Sequence, residues 1–276
     1  MKTDESLLPL GKPVEYVSEH APDLLHPIPR AHARGTLGIV GELPFSGVDV
    51  WHAYEVSWLN EKGKPVVATA ELRFPASSPN MIESKSLKLY LMSLNGTRYE
   101  SREIVRSLVE SDLAERAGAA VGVDLFAADT PQAPQLSELP GASIDDADST
   151  ISDYDLNPQL LSGSAQEGAE LEETLHSHLL KSNCPITGQP DWASIVVRYR
   201  GRRIERAKLL AYLVSYRNHS EFHEHCVERI FTDIQRHCAP AALTVHAFYT
   251  RRGGLDINPY RSDFEREPRR MRVWRQ

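Results

Sequence analysis

The sequence has few cysteines and no long hydrophobic run, and both features narrow its class. Its 276 residues include three cysteines, Cys184, Cys226 and Cys238. An odd, small number of cysteines gives no disulfide framework and fits a reducing compartment. No run of about 18 apolar residues is present, so we expect no membrane-spanning helix. The first residues, MKTDESLLPLGKPVEY, contain acids and no apolar stretch, which argues against a signal peptide. We therefore expect a soluble, cytoplasmic protein.

An excess of positive charge is also missing. The net charge is -7, which argues against a surface that wraps nucleic acid, because such binding neutralises phosphates. We expect no direct nucleic-acid binding. Positive charge is nevertheless concentrated near the end of the chain, which is either a solvated end or an anion-binding segment: Arg261, Arg266, Arg269, Arg270, Arg272 and Arg275. The glycines Gly35, Gly38 and Gly41 do not form the GxGxxG pattern, so no Rossmann site is indicated.

Residues 128–170 divide the chain into two halves. This segment is rich in Pro, Ser, Gly and Asp and shows no sustained helical or strand period. Such a composition is typical of a linker or a long surface excursion. We predict an N-terminal domain at 1–140, a linker at 141–170 and a C-terminal domain at 171–276.

The two halves resemble each other and indicate an internal duplication. SWLNEKGKPVVATAELRF at 57–74 aligns without a gap to SNCPITGQPDWASIVVRY at 182–199, and residues near 83–93 align to 205–215. Each copy predicts a β-hairpin, two helices and a closing strand, at 121–126 and 243–249. The predicted fold class is α+β, with antiparallel sheets and helices on one face of each sheet.

The copies differ at two positions that bear reactive groups. Cys184 stands where the first copy has Leu59, and Asp191 where it has Val66. The stretch around Cys184 resembles a turn and is bordered by Lys181, and a reachable thiol near a cation favours thiolate. Trp192 beside Asp191 would raise the pKa of that carboxyl by desolvation. A buried apolar cysteine and an ordinary turn aspartate are the alternatives.

Two further segments carry candidate chemistry. His219, His223 and Cys226 would share one helical face, so a zinc site is an alternative, although Val227 breaks the HExxH pattern. His223 and Glu224 would otherwise face a ligand as hydrogen-bonding groups. The run TRRGGLDINP at 250–259 follows a predicted strand, and its arginines and glycines suit either phosphate oxygens or a plain surface turn.

Four separated segments together resemble one family, the NADPH-dependent 7-cyano-7-deazaguanine reductases in their long, tandem-domain form. They are ESKSLKLY at 83–90, SNCPITGQPDW at 182–192, FHE at 222–224 and RRGGLDINP at 251–259. The resemblance implies two tandem tunnelling-fold domains, a homodimer and a role in making queuosine, a modified tRNA nucleoside. It implies reduction of a nitrile on a small deazapurine to an aminomethyl group by two NADPH, with no metal.

The resemblance also implies roles for individual residues. Cys184 would attack the nitrile carbon to form a thioimide, and Asp191 would protonate the nitrogen. Substrate would be bound by Ile82, Glu83, Ser84, His223 and Glu224. NADPH would be bound by Ser84, Lys85, Arg252 and Gly253.

Three hypotheses stand at this point. The first is the nitrile reductase. The second is a zinc-dependent cyclohydrolase-like enzyme with the same fold, motivated by the His/Cys cluster. The third is a non-catalytic purine-binding or tRNA-associated module, motivated by the arginine-rich end.

Overall fold

The computed structural model describes residues 16–276, and these form two compact units. Unit 1 contains the described residues up to Thr36, then Val48–Gln135 and Arg251–Ile257. Unit 2 contains Leu37–Gly47, Leu136–Thr250 and Asn258–Gln276. Each unit is thus assembled from segments that are distant in the sequence. The domain boundaries at 140 and 170 remain a prediction, although the segment 141–170 contributes the buried side chains of Ile144 and Leu161 to unit 2.

Unit 1 has three α-helices, of which the two longer ones pack on an antiparallel sheet. Its strands are β1 (Pro27–Pro29), β2 (Ser46–Leu59, within this unit from Val48), β3 (Pro65–Pro75), β4 (Asn80–Ile82) and β5 (Gly122–Ala127). Its helices are α1 (Arg30–Thr36), α2 (Ser84–Ser93) and α3 (Arg102–Ala117). Strand β3 lies between β2 and β5, and β1 pairs with β4. The core joins the sheet to α2 and α3 and includes Trp51, Trp58, Leu72, Leu87, Leu91, Val105, Val109 and Leu113.

Unit 2 repeats this order of elements. It contains β6 (Ala142–Ser143), β7 (Leu171–Asn183), β8 (Pro190–Gly201), α4 (Arg206–Val214), α5 (His223–Cys238), β9 (Ala242–Tyr249) and the end of β10 (Leu255–Ser262). The sheet order is β10-β9-β8-β7-β6, and only β6 and β7 are parallel among these neighbours. One face of this sheet is covered by residues of the final segment, since Val196 and Phe248 cluster with Met271 and Val273.

The predicted fold class is confirmed by these elements. Both units have the order hairpin, helix, helix, strand that the internal repeat predicts. They also share a buried tyrosine–aspartate bond: Tyr90 donates to Asp112 Oδ2 at 2.6 Å in unit 1, and Tyr212 to Asp233 Oδ2 at 2.8 Å in unit 2. A bond of this kind at matching places is what a duplicated gene segment would retain.

The prediction of a solvated or anion-binding arginine segment is wrong for Arg261. This residue lies in β10 with a fully buried side chain. Its guanidinium donates two hydrogen bonds to Glu228 Oε1 on α5, from Nε at 3.0 Å and from Nη2 at 2.9 Å. A buried charge requires such a partner, so Arg261 is a structural cation. Within the described residues, no helix is long and apolar enough to cross a membrane.

Candidate active site

Cys184 lies in the loop that joins β7 to β8. Its N–H donates to Gln189 O at 2.8 Å, and its carbonyl accepts from Gly188 N at 2.9 Å, which continues the strand register by one pair. Gly188 has φ +66, a left-handed conformation that glycine adopts without strain. The Cys184 side chain is 6% exposed. The thiol is therefore fixed by the backbone of a tight hairpin end and shielded from bulk water.

The register of this hairpin places Asp191 on the same side as the thiol. Ser182 lies directly opposite Asp191, and Asn183 opposite Pro190. Because side chains alternate along a strand, Ser182 and Asp191 share a face, and the backbone bond from Cys184 N to Gln189 O extends this register to Cys184. Asp191 is 4% exposed. A thiol and a carboxyl group thus stand diagonally across one hairpin.

The equivalent hairpin of unit 1 has a different strand register, although the two sequences align here without a gap. Its loop spans 60–64, whereas the loop of unit 2 spans 184–189. Leu59, the counterpart of Cys184, is therefore a strand residue paired with Pro65. In unit 2, Pro190 pairs with Asn183 instead, and Cys184 lies in the loop.

The first residue of α5 completes a polar group at Asp191. His223 Nε2 lies 3.2 Å from Asp191 Oδ2. The imidazole stacks on the Tyr249 ring, with centroids 3.8 Å apart and planes at 20°. His223 Nδ1 is buried and has no hydrogen-bond partner among residues 16–276. This arrangement can pass a proton to the carboxyl and leaves one ring nitrogen for a ligand. Glu224 follows in the same helical turn and is 2% exposed.

The segment before α5 holds both parts of this group together. Asn183 N donates to His219 O at 2.8 Å, and Glu221 N donates to Asn183 O at 3.2 Å. The Glu221 carboxylate accepts from Arg229 Nε and Nη2 at 3.0 and 2.9 Å and lies 2.9 Å from His219 Nε2. Burial alone would raise the pKa of Glu221, but the bonds from His219 and Arg229 outweigh it and lower that pKa to about 2. The hairpin end and the start of α5 are therefore fixed to one ion pair.

This ion pair predicts a specific dependence of stability on pH. The pKa of Glu221 falls from its usual 4.5 to about 2 on folding, so its stabilisation is present above pH 4.5 and is lost as the pH falls toward 2. Between pH 4.5 and 2, the free energy of unfolding measured with urea should fall by up to about 3 kcal/mol more for wild type than for Glu221→Gln. The control is Glu110→Gln, which removes an exposed pair with Arg106 and should follow the wild-type curve. Parallel curves for wild type and Glu221→Gln would contradict the assignment.

The register of the hairpin contradicts the expectation for Trp192 and shows where the Lys181 ammonium is bonded. Trp192 neighbours Asp191 on β8, so it points to the opposite face and cannot desolvate the carboxyl; its ring lies under the guanidinium groups of Arg217 and Arg275, 5.5 and 5.8 Å away. Lys181 also lies on that opposite face, where Nζ donates to Asn183 Oδ1 and to Arg217 O, both at 2.6 Å. Asp191 is instead covered by Ser182 and by the first residue of α5.

The histidines and cysteines of the zinc hypothesis do not share a helical face. Helix α5 begins at His223, and His219 precedes it in an extended conformation, bonded to Glu221. Cys226 is fully buried, and burial raises the pKa of its thiol well above the usual value. In the described part of the chain, no group of three or more His, Cys, Asp or Glu side chains is placed to hold a metal ion.

In unit 1, Glu83 is the N-cap of α2. Its Oε1 accepts from Lys85 N and its Oε2 from Ser86 N, both at 2.8 Å, and the residue is 1% exposed. Ser84 Oγ also donates to Oε1 at 3.5 Å, so Oε2 is the oxygen that keeps a further lone pair for a donor. The Ile82 side chain is 2% exposed and belongs to the hydrophobic core. Ser84 and Lys85 occupy the first turn of α2 and are partly exposed.

The turn at 251–254 lies against the same helix. Arg252 and Leu255 exchange backbone hydrogen bonds of 2.9 and 3.1 Å, and Gly253 and Gly254 have φ +58 and +82, as a two-residue hairpin turn requires. A Cβ at Gly253 would lie 3.1 Å from Lys88 Nζ of α2. Gly253 therefore lies against α2 at Lys88, and Ser84 and Lys85 lie in the first turn of the same helix. Cations and an exposed glycine backbone suit a phosphate-bearing coenzyme.

Sequence patterns did not point to Tyr249, Glu221, Arg229 or Lys88. Tyr249 and Arg229 reach the site from positions remote in sequence, and their residue types are ordinary for a strand and a helix. Lys88 could have been found from the sequence, because it follows Ser84 by one helical turn and shares its face.

Known proteins resemble this chain over almost its whole length. A family model described as nitrile reductase, 7-cyano-7-deazaguanine-reductase N-term, matches residues 16–125, and one described as QueF-like protein matches 190–268. The NADPH-dependent 7-cyano-7-deazaguanine reductase of Bordetella pertussis (strain Tohama I) is 57% identical over 260 residues, which cover 94% of this chain and 94% of that protein. The protein of the same name from Bordetella avium (strain 197N) is 55% identical over 255 residues, or 92% of this chain and 93% of that protein.

A solved structure of the archaeosine synthase QueF-Like in the apo form matches more distantly. It covers 35% of this chain and 95% of that chain at 18% identity and a TM-score of 0.28, which is too low to inform the fold. The family models and the two long, close matches are decisive, and they confirm the resemblance that the four sequence segments indicated. This chain belongs to the family of NADPH-dependent 7-cyano-7-deazaguanine reductases.

Proposed function

We propose that this chain reduces the nitrile of 7-cyano-7-deazaguanine to the primary amine of 7-aminomethyl-7-deazaguanine, with NADPH as reductant, in the synthesis of queuosine. The observation that carries the assignment of residues is the shared hairpin face of Cys184 and Asp191, with His223 3.2 Å from the acid. A nitrile carbon is a poor hydride acceptor until a nucleophile has added to it, and this face offers both nucleophile and acid.

The first step is addition of the thiol across the carbon–nitrogen triple bond. Cys184 sulfur forms a bond to the nitrile carbon, one π pair moves to nitrogen, and Asp191 donates a proton there to give the thioimide. The proton released by the thiol returns to Asp191, and His223 Nε2 is placed to relay it. The net change is addition of S–H to C≡N, so no oxidant or reductant is consumed.

The site then has to release the sulfur. Lys85, Arg252 and Gly253 would hold NADPH, which would supply one hydride per molecule, so two molecules in turn would reduce the thioimide carbon and then the imine that remains after Cys184 leaves. When the carbon–sulfur bond breaks, the electron pair returns to Cys184, and Asp191 is again the nearest acid to balance the charge. Burial of Cys184 and Asp191 keeps water away from the thioimide, which would otherwise hydrolyse.

Recognition of the base is proposed for Glu224 and Glu83. A buried carboxylate pairs with the N–H edge of a deazapurine and rejects analogues that lack it. Glu224 is 2% and Glu83 1% exposed, so a base that bonds to either carboxylate would do so away from bulk water. His223 Nδ1 offers one more buried polar atom to the substrate. Ser84 is a candidate for both ligands, and Lys85, Arg252 and Gly253 are candidates for NADPH.

We also propose that the enzyme is cytoplasmic and homodimeric and acts on the free base rather than on tRNA. The net charge of -7 supports a small-molecule substrate over a polyanion. The three cysteines are unpaired, which supports a reducing compartment.

The stoichiometry of the reaction tests the proposed function. Purified enzyme given 7-cyano-7-deazaguanine should oxidise two NADPH for each amine formed, measured by absorbance and by mass spectrometry of the product. 7-Deazaguanine, which lacks the nitrile, should cause no NADPH oxidation. A ratio near one, or an acid in place of the amine, would contradict the proposed reaction.

A further inference from the structure

Tyr54 contacts the turn at 251–254 and the residues beside it in three ways. Its backbone N–H donates to Gly254 O at 2.9 Å, and its hydroxyl donates to Asp256 Oδ2 at 2.6 Å. The guanidinium of Arg251 lies 4.5 Å above its ring. The backbone and side chain of this one residue of β2 therefore contact both ends of the turn and Asp256 beyond it, all inside unit 1.

A buried histidine supports the same carboxylate from the other side. His52 Nδ1 lies 2.8 Å from Asp256 Oδ1, and His52 Nε2 lies 3.7 Å from Glu71 Oε2. Arg73 Nε donates to Glu71 Oε1 at 2.7 Å. His52, Glu71 and Asp256 are each at most 4% exposed. Such a group is rigid when every member is bonded, and costly when one bond is lost.

The turn itself has little freedom to move. A Cβ at Gly254 would lie 2.6 Å from Glu55 Cδ, and Glu55 Oε2 lies 3.5 Å from Lys88 Nζ on α2. The turn, β2 and the helix that carries the predicted NADPH residues are therefore in contact. A shift of Asp256 would move Arg252 and Gly253 relative to α2.

We propose that Tyr54 and His52 are positioning residues that hold the turn at 251–254 in the geometry that binds NADPH, and that the charge of His52 sets how firmly it is held. The inference rests on the proposed function, because it takes Arg252 and Gly253 as coenzyme residues. Neither Tyr54 nor His52 touches the coenzyme in this scheme; both act through Asp256 and Gly254.

Because His52 can lose its charge, the stability of the turn at 251–254 should depend on pH. Burial alone would lower the pKa of His52, but hydrogen bonds to Asp256 and Glu71, and their charges, outweigh it and raise that pKa to about 9. The groups that face it are Tyr54 on its own strand, Glu71 and Arg73 on β3, and Asp256 on β10. Because the folded pKa is raised, the stabilisation is complete below about pH 6.5 and is lost as the pH rises through 9.

The test is a fluorescence titration of the full chain with NADPH, without substrate, for Tyr54→Phe and a matched control. Tyr54→Phe removes one buried hydroxyl bonded to an aspartate, and the Kd for NADPH should rise about tenfold. The control, Tyr90→Phe, removes the same kind of bond, also 2.6 Å long, to Asp112 in the same unit. Tyr90→Phe should lower the melting temperature and leave the Kd unchanged.

A pH series on His52→Asn provides the second measurement and does not depend on the fold of Tyr54→Phe. The asparagine amide keeps a donor near the place of Nδ1 and carries no charge. Between pH 7.5 and 9.5, the Kd for NADPH should rise several-fold more in the wild type than in His52→Asn. Titration of lysines changes both Kd values alike, so the difference between them reports the charge of His52. Equal pH dependence, or an unchanged Kd in Tyr54→Phe, would overturn the inference. Failure of the wild type to bind NADPH would instead refute the proposed function.

Discussion

Replacing Cys184 by alanine is expected to abolish reduction of the nitrile, with a loss of at least about 10⁴-fold in kcat. Without the sulfur, no thioimide forms, and the nitrile carbon stays a poor hydride acceptor. The sharpest measurement is intact mass after incubation with 7-cyano-7-deazaguanine in the absence of NADPH. Wild type should gain the mass of one whole substrate molecule, because addition of S–H expels no leaving group, and Cys184→Ala should gain none.

Cys238→Ala is the matched control for this experiment. Cys238 is 6% exposed, as Cys184 is, but it lies at the end of α5 with its sulfur 3.2 Å from Ser164 Oγ. Burial raises the pKa of the Cys238 thiol, which makes it a poor nucleophile. Cys238→Ala should form the adduct and retain activity. An adduct on Cys184→Ala, or equal loss of activity in both variants, would show that the bond to substrate forms elsewhere.

Replacing Asp191 by asparagine is expected to slow formation of the adduct by about 10²- to 10⁴-fold. Asparagine keeps the size and polarity of the side chain but cannot donate a carboxyl proton to the nitrile nitrogen. Binding of substrate should change far less than the rate, because base recognition is assigned to Glu224 and Glu83. The measurement is the rate of appearance of the adduct mass under single-turnover conditions, together with the substrate Kd.

Asp233→Asn is the matched control for the acid. Asp233 is 3% exposed, compared with 4% for Asp191. Its carboxylate accepts a hydrogen bond of 2.8 Å from the Tyr212 hydroxyl, and it lies on α5, outside the hairpin. Its loss should lower the melting temperature and leave the rate of adduct formation within about twofold of wild type. If Asp191→Asn formed the adduct at the wild-type rate, the proton would have to come from another group, and His223 would be the next to replace.

Local patterns in the sequence were sufficient for the elements of each unit. Alternating residues on both sides of a Gly-Pro turn predicted the strands now seen as β3 and β8, and helical spacing predicted α2 to α5. These patterns predict the elements correctly because a strand or helix buries one face. The spacing of the buried apolar residues along the sequence therefore shows which element they form. The same reasoning failed for His219, because the exact start of α5 depends on the bonds of Glu221 and Asn183 rather than on periodicity.

The sequence by itself determined the family, the duplication and the difference between the copies at positions 184 and 191, because each depends on residue types in order along the chain. Only the tertiary structure decided which groups surround them: His223 beside Asp191, the Glu221–Arg229 pair behind the hairpin, and Tyr54 under the turn at 251–254. It also decided that Arg261 is a buried structural cation and that Trp192 faces away from the acid. The physical reason is that such contacts join residues far apart in sequence or depend on strand register. The type of a residue alone does not show whether its side chain is hydrogen-bonded.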